Sequence, residues 1–260
     1  MNPMDWSDLT TAAVGERVND RTVAVLPLGA TEQHGGHLPL ATDTLIARAL
    51  VERAIHRLPA GTDVLQLPTL ALGQGMEHAD WPGTLALSPA TMEALLDDLG
   101  DSLARSGLRR LVIFTAHGGN GAAMEHAALR MRRRHGMLVV KSCYFDFPRP
   151  AQLLVDREWD VGIHGGAVET AIMQALHPRQ VGPVQPPDPA GIHHSESASL
   201  GFENASGRIA WLAEDIGPDG VAGDASLATP QLGERLVAHY ADELAAILTR
   251  AGSWPLPRQP

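Results

Sequence analysis

A short apolar run, a loop and a helix-like segment recur in that order at least three times in the first half of the chain. Thr22 to Leu28 reads as a buried strand, because its apolar residues run on without alternation. The glycine-rich loop 29–43 follows. Thr44 to Leu58 then carries Leu45, Ile46, Ala49, Leu50, Ala54 and Ile55 near helical spacing. Val64 to Leu67 is a second strand, and the irregular stretch 68–87 leads out of it. Ser88-Pro89 has the pattern of an N-cap with proline at the first helical position, so a helix is expected over Ala90 to Ser106. Leu111 to Phe114 is the third strand, 116–121 its loop and Ala122 to Arg134 its helix. Leu138 opens a further strand that runs to about Tyr144. This alternation predicts an α/β fold with a mainly parallel sheet and helices on both faces. In such sheets ligands bind outside the carboxyl ends of the strands.

The rest of the chain is less periodic. Ser7 to Val14 is expected as a short leading helix, and Asp146 to Gly162 as irregular. Ala167 to Leu176 and Pro230 to Arg250 are expected helices, and Arg208 to Leu212 a short strand. Gln180 to Gly207, which includes His193 and His194, reads as a long surface excursion, and Asp215 to Asp224 as turns. Neither an internal repeat nor a linker divides the 260 residues, so one domain is expected. With 30 acidic and 20 basic residues the formal charge is −10, which argues against nucleic acid and against anionic membranes as partners. A single cysteine, Cys143, rules out an internal disulfide and fits a cytoplasmic location. Met1 to Trp6 lacks the basic and apolar regions of a signal peptide.

The loops after the first and third strands hold the candidate chemistry. Glu32 and His34 stand two residues apart, so in extended backbone they point the same way. Asp43 closes the same loop, His117 follows the third strand, and Glu169 falls in the first turn of a helix. Three carboxylates and two imidazoles make a mixed nitrogen and oxygen set suited to Zn, Mn or Fe(II). Each residue has an ordinary reading when taken singly. Glu32 is a solvated carboxylate, His34 orients its loop and Asp43 caps a helix. His117 is a turn residue, and Glu169 complements a helix dipole. Their convergence on one sheet edge favours the metal site. His164, near neutrality in its unperturbed pKa, is the candidate acid or base. His37, His78 and Asn120 are secondary candidates.

Three ordered motifs resemble the creatininase (creatinine amidohydrolase) family. They are Gly29-Ala30-Thr31-Glu32-Gln33-His34-Gly35 with Asp43, His117-Gly118-Gly119-Asn120, and His164-Gly165-Gly166-Ala167-Val168-Glu169-Thr170. Trp81-Pro82-Gly83-Thr84 resembles the family's Pro-Gly-Thr segment. The resemblance implies a three-layer α/β/α hydrolase with two divalent metal ions, assembled as a homo-oligomer and often as a hexamer. Glu32, Asp43 and His117 would hold one ion. His34 and Glu169 would hold the other, with Asp43 bridging and His164 handling protons. Two departures set the chain apart from creatininase itself. Gly119 stands where that enzyme has a metal-binding glutamate, which leaves Glu169 as the replacement candidate. Phe145 replaces one tryptophan that closes over creatinine, and Trp159 matches the other only with a shift of one residue. These departures point away from creatinine as substrate.

The expectation is therefore a metal-dependent amidohydrolase acting on a small-molecule cyclic amide, lactam or formamide. A metal-bridging water would be the nucleophile, His164 the proton shuttle and Glu169 a catalytic ligand. His78, Trp81, Asn120, Phe145 and Trp159 would form the substrate pocket. The rivals are a peptidase of redox-cofactor maturation and a metal-dependent binding protein without turnover. A nucleotide-binding domain is the weakest, since neither G-x-G-x-x-G nor a P-loop follows a predicted strand.

Overall fold

The computed structural model describes residues 5–184, 200–201 and 206–258. The expected helix over Ser7 to Val14 is displaced. A 3-10 turn, Trp6–Asp8, comes first, and α1 is Thr11–Arg17. Thr10 causes the break: its hydroxyl accepts the Ala13 N–H and starts the helix there.

Four strands make the sheet: β1 (Val23–Leu28), β2 (Val64–Gln66), β3 (Arg110–Thr115) and β4 (Leu138–Cys143). All pair in parallel, in the order β2-β1-β3-β4. Both faces of the central strands are covered, which is why they read as unbroken apolar runs. On β1 and β3, Val23, Val25, Val112 and Phe114 point to one face. Ala24, Leu26, Leu111 and Ile113 point to the other.

The first face is covered by α2 (Thr42–Ile55), α6 (Ala167–Leu176) and α8 (Pro230–Ser253). The second is covered by α3 (Pro89–Arg105) and α4 (Gly121–His135). The chain thus leaves β1 toward one face, through α2, and its neighbour β3 toward the other, through α4. Such a divergence opens a crevice at the carboxyl ends of the strands beside it, here β1 and β3.

Caps set several boundaries as expected. Ser88 Oγ accepts the Thr91 N–H at the start of α3, and Thr229 caps α8. Three regions differ from expectation. Asp146 to Gly162 contains a helix, α5 (Asp156–Val161). The strand expected over Arg208 to Leu212 shrinks to β6 (Gly207–Arg208), paired with β5 (Leu200–Gly201). The turn-rich stretch begins with a single helical turn, α7 (Ala213–Ile216), because Asp215 accepts the Leu212 N–H. His193 and His194 lie outside the described residues. No helix among the described residues is long and apolar enough to cross a membrane.

Gly29 fixes how β1 hands over to α2. A Cβ there would lie 2.5 Å from the backbone of Thr44, so only glycine lets the start of α2 come this close. That approach brings Asp43, in the first turn of α2, back over the end of β1.

Candidate metal centre

Six titratable side chains converge at the crevice, all buried: Glu32, His34, Asp43, His117, His164 and Glu169. Asp43 lies between two imidazoles. Its Oδ1 is 3.0 Å from His34 Nε2, and its Oδ2 is 3.4 Å from His117 Nδ1. Glu32 Oε1 is 3.1 Å from His117 Nδ1, and Glu169 Oε1 is 3.8 Å from His34 Nε2. Two overlapping ligand sets result, Glu32–Asp43–His117 and His34–Asp43–Glu169, with the ligand atoms of each within 4.8 Å of one another. A third set joins Glu32, His34 and His164. The N-cap reading of Asp43 is excluded, since the cap position is Ala41.

Backbone carbonyls orient both imidazoles. His34 Nδ1–H donates to Glu32 O at 3.2 Å, and His117 Nε2–H donates to Gln74 O at 2.6 Å. A carbonyl can only accept, so the opposite nitrogen of each ring keeps its lone pair for the centre. Glu169 is braced by the Gly165 N–H at 2.6 Å and the Tyr144 hydroxyl at 3.2 Å. Glu32 Oε1 and Oε2, His34 Nε2 and Asp43 Oδ2 are buried and make no hydrogen bond within the protein. Leaving such atoms unpaired costs about 1–3 kcal/mol each. An oxygen and imidazole set with unspent lone pairs is the donor chemistry of a divalent cation site.

The electrostatics describe the metal-free protein. Burial pulls the His117 pKa down, but the Glu32 carboxylate outweighs it and holds it at about 10. Burial likewise opposes the charge on His34, yet Asp43 and Glu169 keep its pKa well above the ordinary value. Burial dominates at Glu32 and raises its pKa. At Glu169 burial would raise the pKa, and the His34 imidazole overcomes it and lowers it. His34 and His117 thus carry protons among the buried carboxylates.

His164 differs. Burial, reinforced by the charge on His34, depresses its pKa to about 4. Its Nε2–H donates to Gln33 O at 2.7 Å, which leaves Nδ1 facing Glu32 Oε1 at 3.9 Å. It is a neutral imidazole with its free lone pair turned inward. His78 stacks on it at 4.2 Å and is also held neutral, first by burial and then by His164.

A cavity of about 900 Å³ opens over the centre. His78, Phe145 and Trp159, three of the residues expected in the pocket, are among those lining it. Trp81 and Asn120, the other two residues expected in the pocket, are not among those lining it. The Trp81 backbone N–H closes the turn onto His78 O, and its indole Nε1 is buried without a hydrogen bond. Asn120 spends its whole carboxamide on the scaffold. Its Nδ2 donates to Gly29 O and Thr115 Oγ1, and its Oδ1 accepts the Gln74 N–H. It ties the ends of β1 and β3 to the 68–87 loop. His37 is likewise a scaffold residue, hydrogen-bonded to Thr170 Oγ1 at 2.9 Å.

Sequence reasoning missed four contributors. Gln33 donates to His78 Nδ1 and Gly220 O, linking the first loop to the 217–224 segment. Buried Glu158 accepts the N–H groups of Ala167 and Asp224 and anchors the start of α6, which carries Glu169. Glu77 and Trp211 stand in the cavity wall. Gln33 alone had a local signal, its place between Glu32 and His34.

The profile of the family described as creatinine amidohydrolase matches residues 7–248. The chain belongs to the creatininase family. It is 31% identical over 230 residues to the mycofactocin precursor peptide peptidase of Mycolicibacterium smegmatis, covering 88% of this chain and 85% of that one. It is 35% identical over 173 residues to the creatinine amidohydrolase of Pseudomonas putida, covering 60% of this chain and 65% of that one. A solved creatininase described as its Mn form superposes with a TM-score of 0.77 at 28% identity, over 98% of this chain and 100% of the other. A variant of creatininase described as Zn-Zn type gives a TM-score of 0.78 at 26% identity, again over 98% and 100%. The parallel sheet flanked by helices is thus the creatininase fold, and the chain is a hydrolase of that family.

Proposed function

We propose that the chain is a two-metal amidohydrolase that cleaves an amide C–N bond outside a polypeptide backbone, in a cyclic amide, lactam or formamide. The observation that carries this reading is Asp43, whose two oxygens serve two separate ligand sets. Glu32, Asp43 and His117 would hold one ion, and His34, Asp43 and Glu169 the other. Divalent ions so held lower the pKa of water toward neutrality and polarise a carbonyl.

The chain's own residues supply the proton chemistry. His164 is neutral at physiological pH, so its inward Nδ1 can accept a proton at the centre and pass it to a departing nitrogen. Gln33 O fixes the ring so that only Nδ1 is available. His78 has Nδ1 engaged by Gln33, so its Nε2–H faces Glu32 Oε1 at 3.6 Å. Phe145 and Trp159 offer apolar walls to the substrate.

A second reading, peptide-bond cleavage, is favoured by the peptidase relatives matched over 88% of the chain. The cavity, about 900 Å³, also lies toward the upper end of the range for small-molecule sites. Hydrolysis of a panel of lactams, formamides and short peptides by the metal-loaded chain separates the readings. Turnover of the non-peptide amides supports the proposal, and release of short peptides alone supports the second. No hydrolysis with both ions bound leaves a binding protein. The family likeness also leads us to propose a homo-oligomer, which sedimentation of the purified chain tests.

A further inference from the structure

Gln33 stands between the candidate ligands Glu32 and His34, yet its carboxamide meets two other histidines, His78 and His164. Gln33 is buried, and backbone groups fix which way round the carboxamide lies. Oε1 accepts the Gly35 N–H at 2.9 Å, and Nε2 donates to Gly220 O at 2.8 Å. Reversing the group would set a donor against an N–H and an acceptor against a carbonyl, and both bonds would be lost. A Cβ on Gly220 would lie 2.7 Å from Gln33 Nε2, and its φ of +66° is in the left-handed region, so glycine there is the condition for this approach. The Gln33 backbone N–H donates to Thr84 Oγ1 at 3.1 Å, in the loop that also carries His78.

A carboxamide nitrogen has two hydrogens, and Gln33 Nε2 has three near neighbours: Gly220 O, His78 Nδ1 at 3.0 Å and His164 Nε2 at 3.1 Å. One hydrogen goes to the carbonyl, which can only accept. His164 Nε2 cannot take the other, because it donates its own hydrogen to Gln33 O at 2.7 Å. The second hydrogen therefore goes to His78 Nδ1, which must hold a lone pair, and the His78 hydrogen is on Nε2. The two imidazoles stack at 4.2 Å but present opposite groups to the centre. His78 turns an N–H toward Glu32 Oε1 at 3.6 Å, and His164 turns the lone pair of Nδ1 toward the same oxygen at 3.9 Å. Both distances are longer than a hydrogen bond, so neither group is spent on Glu32.

We propose that Gln33 is a positioning residue that gives the two histidines complementary parts, His78 as hydrogen-bond donor to the substrate carbonyl oxygen and His164 as proton acceptor. This rests on the amidohydrolase reading above. As water adds to the acyl carbon, negative charge gathers on the carbonyl oxygen, and a fixed N–H aimed there stabilises it. The His78 hydrogen stays on its ring throughout. The proton from water passes through His164 to the departing nitrogen as the C–N bond breaks, so both rings end as they began. Gln33 acts on the two rings by different groups, its side chain on His78 and its backbone carbonyl on His164.

That division makes the test specific. The full chain is prepared with isotope-labelled histidine, and long-range proton–nitrogen correlation spectra of the metal-free and Zn²⁺-loaded protein show which ring nitrogen carries the hydrogen. Spectra of His78→Asn and His164→Asn assign the signals. In the wild type both rings are expected to carry it on Nε2. In Gln33→Glu, whose carboxylate can only accept, the His78 hydrogen should move to Nδ1 while His164 keeps its own on Nε2. On an amide that the wild type turns over, kcat of Gln33→Glu should fall by about 10²-fold or more, with KM and metal content changed by less than about threefold. Gln33→Leu, which neither donates nor accepts, should divide the His78 hydrogen between both nitrogens and lower kcat as well. A His78 hydrogen on Nδ1 in the wild type would overturn the proposal, as would an unchanged kcat once the hydrogen has moved. Hydrolysis of no amide would overturn the amidohydrolase reading, and the spectra would still judge what Gln33 does to His78.

Discussion

Asp43 divides its oxygens between His34 and His117, so its loss should remove more than one ligand. Asp43→Ala is expected to lose both ions together and to lower turnover by on the order of 10³ or more, checked by metal analysis and kinetics on one preparation. His164 should separate these effects. His164→Ala is expected to keep its metal and lose roughly 10²–10⁴ in rate, and full turnover in that variant would refute the proton-shuttle role. The pH dependence follows from His117, whose raised pKa of about 10 keeps it protonated at neutrality in the metal-free chain. Burial raises the Glu32 carboxyl to about 7, so its ion pair with His117 is present between about pH 7 and about pH 10; it is lost as pH rises through the folded His117 value and also as pH falls and Glu32 takes up a proton. A cation must displace that proton, so metal affinity should rise with pH and proton release should accompany binding in calorimetry. At this scale the candidate ligands Glu32, His34, Asp43, His117 and Glu169 were legible, because loops between buried strands and helices concentrated them. Glu77 was not, because only the fold of the 68–87 loop brings it into the cavity wall, and no spacing in the sequence reports that.

At the scale of elements, the site depends on where α2 and α6 begin. Gly29 lets α2 close over β1, and Glu158 anchors the first turn of α6 through the Ala167 N–H. Gly29→Ala should therefore weaken metal binding without altering any ligand. It should also destabilise the fold by about 1–3 kcal/mol, measured by denaturant unfolding, because the start of α2 must move to make room. The strand-loop-helix period was readable from Val23 to His135, where apolar runs and caps such as Ser88 speak locally. It was less readable beyond Cys143. There the helix α5 has one fully buried charge, Glu158, and a six-residue length that gives little periodicity. Asn120 shows the opposite limit. Its place beside His117 suggested substrate contact, whereas its bonds to Gly29, Thr115 and Gln74 are long-range and invisible in sequence.

At the scale of the whole molecule, a parallel sheet with diverging connections makes one crevice, and the chain fills it with more ligand atoms than it can pair internally. The same excess predicts that metal removal lowers the melting temperature, since an ion bound only by the folded state stabilises it by about 2.7 kcal/mol at a hundredfold excess over its Kd. The β1 and β3 loops carry most of the candidate ligands and α6 adds Glu169, while residues of the 68–87 loop and the segment around Phe145 and Trp159 line the cavity over them. The central claim is that two cations share Asp43. Anomalous scattering from crystals grown with Mn²⁺ tests it most directly. The account predicts two peaks, one on each side of the Asp43 carboxylate; a single peak, or none at Asp43, would contradict it.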